Sequence, residues 1–376
     1  MSVPRTRRSL AGASAALVAL LALLTACGAS PAPGSATGED AVGTVGTVGT
    51  ATTLADATPL ADPASYVGAS SARVADAAVE PVSADPQPQL PVTVTDAQGT
   101  EVTVTDVSRI LAFDVYGTLA RTVFELGLGD DVVGRDTSSA FDEIADLPNV
   151  TPGGHELSGE AVLGLNPSVV ITDTSIGPWD VVLQLRDAGI PVVVVDSHRS
   201  LDGVADLTQQ VADALGVPEL GTELAERAQE EIDAKVAEIA SVAPQATNDR
   251  LRMVFLYVRG QAGVYYMFGE GSGADDLIDG VGGLDVAAEI GWDGMKPVND
   301  EGLVKAQPDL IIVMTKGLES VGGVDGLLER LPAVAQTPAG QHRRVVDMPD
   351  TQVLSFGPRA ADTLDALARA IYAPGS

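Results

Sequence analysis

Tyr257 and Arg259 stand two residues apart at the end of a strand-like run, 251–258, so their side chains leave the same face. A guanidinium beside a phenol favours the ionised phenol, and ferric iron favours a phenolate ligand. His155 lies in the loop Thr151-Pro-Gly-Gly-His-Glu-Leu-Ser, where an imidazole can reach into a cleft without disturbing a core. Taken singly, a strand tyrosine is an ordinary core residue and a loop histidine an ordinary surface residue. The other histidines, His198 after a buried run and His342 beside Arg343 and Arg344, fall on separate elements. That separation argues against a zinc or manganese site of several imidazoles. Tyr265, Tyr266 and Met267 are spare ligand candidates or cleft wall, and Trp179, Trp292 and Phe268 suit either packing on a flat ligand or the core. Chemistry of other kinds finds little support. The glycines of 263–273 lack the lysine-serine of a phosphate loop, there is no Gly-x-Ser-x-Gly elbow, and no triad stands out, so no enzyme is expected.

The elements that must position these residues alternate. A hairpin is expected at 92–105, where Val and Thr alternate around Asp96-Ala97-Gln98-Gly99. Strands at 110–115, 132–134, 169–172 and 191–195 interleave with helices at 118–128 and 178–188. Their continuous Val/Ile runs suit a parallel sheet buried on both faces. From 222 to 241, Leu224, Ala228, Ile232, Val236 and Ile239 recur at helical spacing, giving one amphipathic helix ended by Pro244. Beyond it, strands at 251–258, 310–314 and 344–347 and helices at 298–306, 324–330 and 359–371 make a second α/β lobe. A hidden repeat links the two halves. Glu160-Ala-Val-Leu-Gly-Leu-Asn-Pro167 runs parallel to Glu301-Gly-Leu-Val-Lys-Ala-Gln-Pro308, each followed by a β-branched strand. The expected fold is therefore α/β, with two Rossmann-like lobes joined by one long α-helix and a ligand cleft between them.

The N-terminus has a basic start (Arg5, Arg7, Arg8), an apolar run to Leu24, and then Thr25-Ala26-Cys27-Gly28. That is the layout of a secretory signal peptide, too short for a comfortable membrane span. Removing it leaves 19 basic residues against 52 acidic ones, a formal charge of −33. Such a balance argues against nucleic acid and against electrostatic adhesion to an anionic membrane. With a single cysteine, no disulfide can form within the fold. The stretch after it repeats Gly-Thr-Val and is poor in aromatics, which reads as a flexible tether. The expected organisation is a leader at 1–26, a tether at 27–90, an N-terminal lobe at 91–217, a bridging helix at 218–243 and a C-terminal lobe at 244–376.

Leu24-Thr25-Ala26-Cys27, the paired Glu-x6-Pro units and the single bridging helix resemble a substrate-binding lipoprotein of an ABC importer. The resemblance is to the class with one connecting helix, which serves iron-siderophore, cobalamin and haem uptake, and it covers about residues 90–376. The stretches 260–283 and 294–301 resemble its haem-binding branch, of the actinobacterial hemin-binding type. The resemblance implies cleavage before Cys27, acylation of its thiol, and a place on the outer face of the cytoplasmic membrane. Diacylation would suffice for stable anchoring. The resemblance further implies that His155 and Tyr257 ligate haem iron from opposite sides of the cleft, with Arg259 supporting the tyrosinate. Many relatives carry a tyrosine where this chain has His155, which leaves the ligand set open. Glu160 and Glu301 would dock on arginines of the membrane permease, although a carboxylate at either place also suits a helix N-terminus. The ligand so implied is ferric haem, carried as cargo rather than held as a catalytic cofactor. The alternative is a ferric siderophore, or cobalamin, in the same fold.

Overall fold

The computed structural model describes residues 46–75 and 78–376; the expected leader, Cys27 and the first part of the expected tether lie outside them. The chain enters as an extended arm laid on the C-terminal lobe. Its strand β1 (Ser70–Ser71) pairs in parallel with Val346 and Asp347. Leu54 is buried in the same lobe, and the Arg344 guanidinium lies 4.4 Å over the Tyr66 ring. Residues 79–90 continue along the N-terminal lobe, where Val82 N–H donates to the Glu125 carbonyl and Gln89 N–H to that of Gly216. Residues 46–75 and 78–90 are thus seated on the folded lobes, where the sequence suggested a free spacer. The physical reason is that an existing sheet edge and backbone partners hold a segment whose own side chains are too small to build a core.

The expected hairpin forms from β2 (Val92–Thr95) and β3 (Glu101–Val104), with Val92 opposite Val104. The N-terminal lobe then lays β4 (Ile110–Phe113), β5 (Val169–Thr172) and β6 (Val192–Val194) side by side in parallel. All of β4 and β5 are buried, as uninterrupted β-branched runs require when helices cover both faces. On one face lie α1 (Thr118–Glu125) and, later in the chain, α4 (Val204–Ala214); on the other lie α2 (Gly159–Leu165) and α3 (Trp179–Asp187). The strand expected at 132–134 is reduced to a single parallel bridge, Val132 to Ile110. Three residues on, Arg135 makes a second isolated parallel bridge, to Asn149 rather than to the sheet.

Helix α5 (Pro218–Val242) joins the lobes, with Pro218 in its first turn, where no backbone donor is missed. Leu224 packs into the N-terminal core, while Ala228, Ile232 and Ile239 pack into the C-terminal one. Beyond it come β7 (Arg252–Arg259), β8 (Val264–Phe268), α6 (Ala274–Gly280), β9 (Leu284–Asp285), α7 (Val286–Glu289) and β10 (Met295–Pro297). The chain closes with α8 (Asp300–Ala306), β11 (Leu310–Met314), α9 (Thr315–Val321), α10 (Gly323–Arg330), α11 (Pro338–Gln341), β12 (Val345–Met348) and α12 (Ala360–Tyr372). The C-terminal sheet runs β1-β12-β11-β7-β8-β10, with β9 also paired to β7. Its central strands β7, β11 and β12 are parallel, and β8 and β10 are antiparallel additions at one side.

Candidate functional site

The lobes touch where segments leaving the strand ends meet. A Cβ on Gly357 would lie 2.5 Å from the Thr118 methyl carbon. One on Gly273 would lie 3.0 Å from the Phe356 ring and 3.1 Å from the Arg199 carbonyl. Gly273 also has φ +84°, a backbone region that favours glycine.

Tyr257 and Arg259 lie at the exit of β7, both half-buried and on the face that carries Phe255. The Arg259 guanidinium sits over the Tyr257 ring, 4.4 Å from its centroid, and donates to an Asp350 carboxylate oxygen at 2.6 Å. The sequence placed the cation beside the phenol. The structure stacks it on the ring face, because Asp350 after β12 draws it across the sheet. Phe268 stacks on Tyr257 at 6.3 Å and Tyr266 meets it edge-on at 6.5 Å, so the phenol ring is held from three sides.

His155 is exposed on the opposite lobe, in the loop before α2, and is joined to neither Tyr257 nor Arg259 by a hydrogen bond. His198 is also exposed, its backbone N–H donating to Asp196, and His342 is half-buried at the end of α11. Trp292 donates its indole N–H to the Met267 carbonyl at 2.9 Å and packs in the C-terminal lobe. Trp179 opens α3 and packs partly against the N-terminal core, with Arg186 5.9 Å over its ring. Among the described residues no group of three or more His, Cys, Asp and Glu is placed to hold a bare metal ion. Glu160 and Glu301 are both exposed, each the second residue of its helix.

The sequence reading missed a buried charge network at the exits of β4, β5 and β6. Arg199 donates to Asp173 at 2.6 Å and to Asp114 at 3.2 Å, and stacks 4.9 Å over the Tyr116 ring. Asp136 closes the group, accepting from the Ser138 and Ser139 backbones and the Ser139 hydroxyl. All three carboxylates are fully buried. Burial lifts the Asp114 carboxyl to about 7; Arg199 opposes that rise, and Asp173 and Asp136 reinforce it. Asp136 is raised by burial too, against its serine hydrogen bonds. The sequence signal was an aspartate placed directly after each of two apolar strands, Phe113-Asp114 and Thr172-Asp173. Beside this network a cavity of about 190 Å³ opens between the lobes, lined by Thr118, Arg121, Phe141, Gln352 and Arg359 among others. Neither His155 nor Tyr257 lines it. Its size falls below the roughly 300–1,000 Å³ of a typical ligand pocket.

Residues 115–351 match the family described as periplasmic binding protein. The chain belongs to the periplasmic binding protein family. The matched stretch runs from α1 through β12 and includes α5. A crystal structure of heme binding protein HmuT is 43% identical and superposes with a TM-score of 0.78, covering 83% of this chain and 99% of that one. The periplasmic heme-binding protein RhuT from Roseiflexus sp. RS-1, solved in its apo form, is 37% identical, with a TM-score of 0.64 over 71% of this chain and 98% of its own. Among curated proteins, an uncharacterized ABC transporter substrate-binding lipoprotein of Bacillus subtilis, YvrC, is 27% identical over 287 residues, 75% of this chain and 86% of its length. The first two are described as heme-binding proteins and the third as a substrate-binding lipoprotein of an ABC transporter. The family is extracytoplasmic, and among the described residues no helix is long and apolar enough to cross a membrane.

Proposed function

We propose that this protein captures ferric haem between its lobes and delivers it to an ABC permease, performing no catalysis itself. The observation that carries this reading is the Tyr257–Arg259 pair, a phenol held by Phe268 and Tyr266 with a guanidinium on its ring face. Solved variants of HmuT replace a tyrosine, the arginine two residues after it, and a histidine earlier in that chain. The same spacing here falls on Tyr257 and Arg259, with His155 earlier. Tyr257 supplies the anionic oxygen ligand and His155, from the opposite lobe, the second axial position. Arg259 supports the tyrosinate through its positive charge, and Asp350 fixes where that charge sits. The related BhuT was solved in complex with two hemes, so both one- and two-haem loading belong in the test. Cys27, acylated after cleavage of residues 1–26, tethers the protein to the outer face of the cytoplasmic membrane. Glu160 and Glu301 face the permease.

The test is titration of purified protein with hemin. A sharpened, shifted Soret band should appear and saturate, and Tyr257→Ala should remove most of it. Saturable fluorescence quenching by a ferric siderophore or cobalamin, with no hemin response, would overturn the haem reading and leave the fold intact.

A further inference from the structure

Helices α2 and α8 are the same local structure built twice. Ser158 caps the first by accepting from Ala161 N–H at 3.2 Å, and Asn299 caps the second by accepting from Gly302 N–H at 2.7 Å. Each ends on a non-glycine residue in the left-handed region, Asn166 at φ 48° and Gln307 at φ 44°, followed by Pro167 or Pro308 and a buried parallel strand. Among the described residues only one other non-glycine residue, Arg343, has positive φ. That conformation costs about 1 kcal/mol, yet it stands at the same position in both lobes.

The equivalence extends to the surface. Glu160 and Leu163 lie three residues apart on α2, and Glu301 and Val304 three apart on α8, so each acid neighbours an apolar side chain on one helix face. Leu163 is 47% exposed and Val304 39% exposed, two of the six large apolar side chains left open among the described residues. Neither glutamate is held in an ion pair among the described residues. One exposed leucine on a surface means nothing. Two apolar residues at equivalent places, each beside an acid without an ion pair among the described residues, on lobes whose sheets otherwise differ, are a repeated surface feature.

We infer that Leu163 and Val304 are apolar anchors that seat beside Glu160 and Glu301 in two equivalent sockets of the permease. This rests on the reading of the glutamates as permease contacts and adds the side chains that would carry the dry part of the interface. The partner's chemistry follows by complementarity. Each socket presents a cation for the carboxylate and, one helical turn away, an apolar depression. Two such sockets related by a twofold axis match the two lobes.

The test places a photoreactive phenylalanine analogue at Leu163, Val304 or, as a control, Val67, which is 63% exposed on the N-terminal arm. The full lipid-anchored chain is irradiated in its native membranes, and crosslinked products are identified by mass spectrometry. Positions 163 and 304 should each capture the membrane-spanning subunit of an ABC importer, and position 67 should not. The Leu163→Ser/Val304→Ser pair should leave hemin titration unchanged and lower hemin uptake at least tenfold, the size expected when contacts of more than about 1 kcal/mol are lost on each side. Crosslinks to no permease subunit, or equal yield from position 67, would overturn the inference. So would normal uptake by the serine pair while Glu160→Gln/Glu301→Gln is slow, because the acids would then dock alone. A failed hemin titration with intact crosslinking would overturn the cargo and keep the docking surface.

Discussion

Arg199→Met tests the charge network that no sequence motif announced. Among the described residues Arg199 is the one cation bonded to the carboxylates of Asp114, Asp136 and Asp173, all at zero exposure, and it reaches two of them at 2.6 and 3.2 Å. Removing one partner of a buried pair costs about 3–5 kcal/mol, because the remaining charges lose their compensation. The cost should depend on pH with a definite sign. Asp114 is raised from 3.8 to about 7, so the folded protein holds a proton that the unfolded chain gives up. Its carboxyl therefore favours folding at low pH, and that contribution fades as pH climbs from about 4 to 7. A rise of that size corresponds to about 4 kcal/mol. In the variant the cluster has lost its guanidinium at both pH values, but at pH 5 Asp114 is already neutral and has no charge left to compensate. Urea unfolding of wild type and variant at both pH values reads the difference directly, with the many surface acids cancelling. The variant should lose about 3–5 kcal/mol at pH 8 and visibly less at pH 5. A loss below about 1 kcal/mol at pH 8, or one no smaller at pH 5, refutes the reasoning.

Gly273→Ala should destabilise the protein by about 1–3 kcal/mol, seen as a lower Tm. A methyl group there meets the Phe356 ring and the Arg199 carbonyl, and φ +84° adds strain. An unchanged Tm would mean the lobes touch less closely than described. If His155 ligates the iron as proposed, His155→Ala should keep hemin binding through Tyr257 but change the visible and EPR signature of the iron, because an axial ligand would be lost. An identical spectrum removes His155 from the ligand set. Ser71→Val should weaken the arm, because the Ser71 hydroxyl donates to Oδ1 of the buried Asp347, and its loss leaves that oxygen without this donor while Arg73 and Thr315 still hold Oδ2. Limited proteolysis should then cut within residues 46–75 well before the lobes, and equal resistance in both proteins would contradict this.

Much of the scaffold was legible because it is written in local pattern. The Val-Thr alternation gave the hairpin, the uninterrupted Val/Ile runs gave the parallel strands, and the spacing of Leu224, Ala228, Ile232 and Ile239 gave α5. The Glu-x6-Pro repeat also marked α2 and α8, whose matching caps the structure supplies. What escaped depends on contacts between distant segments. Ser70 and Ser71 become a strand only because β12 offers an edge some 275 residues later. Arg259 lies over Tyr257 because Asp350 pulls it there, and neither the spacing of two nor the strand period encodes that pull. Asp114, Asp136, Asp173 and Arg199 are scattered through 85 residues and gather only when three strand ends are brought level.

Helix α5 is a continuous rod of 25 residues whose beginning is cemented into one lobe by Leu224 and whose remainder is cemented into the other by Ile232 and Ile239. An axle fixed at both ends offers no joint, so the halves cannot swing apart without breaking its backbone ladder or unseating one of those side chains. On the proposed reading, cargo exchange would then call for a torsion of the rod rather than a hinge, and a transporter gripping both halves at once would hold the lever arms for that torsion.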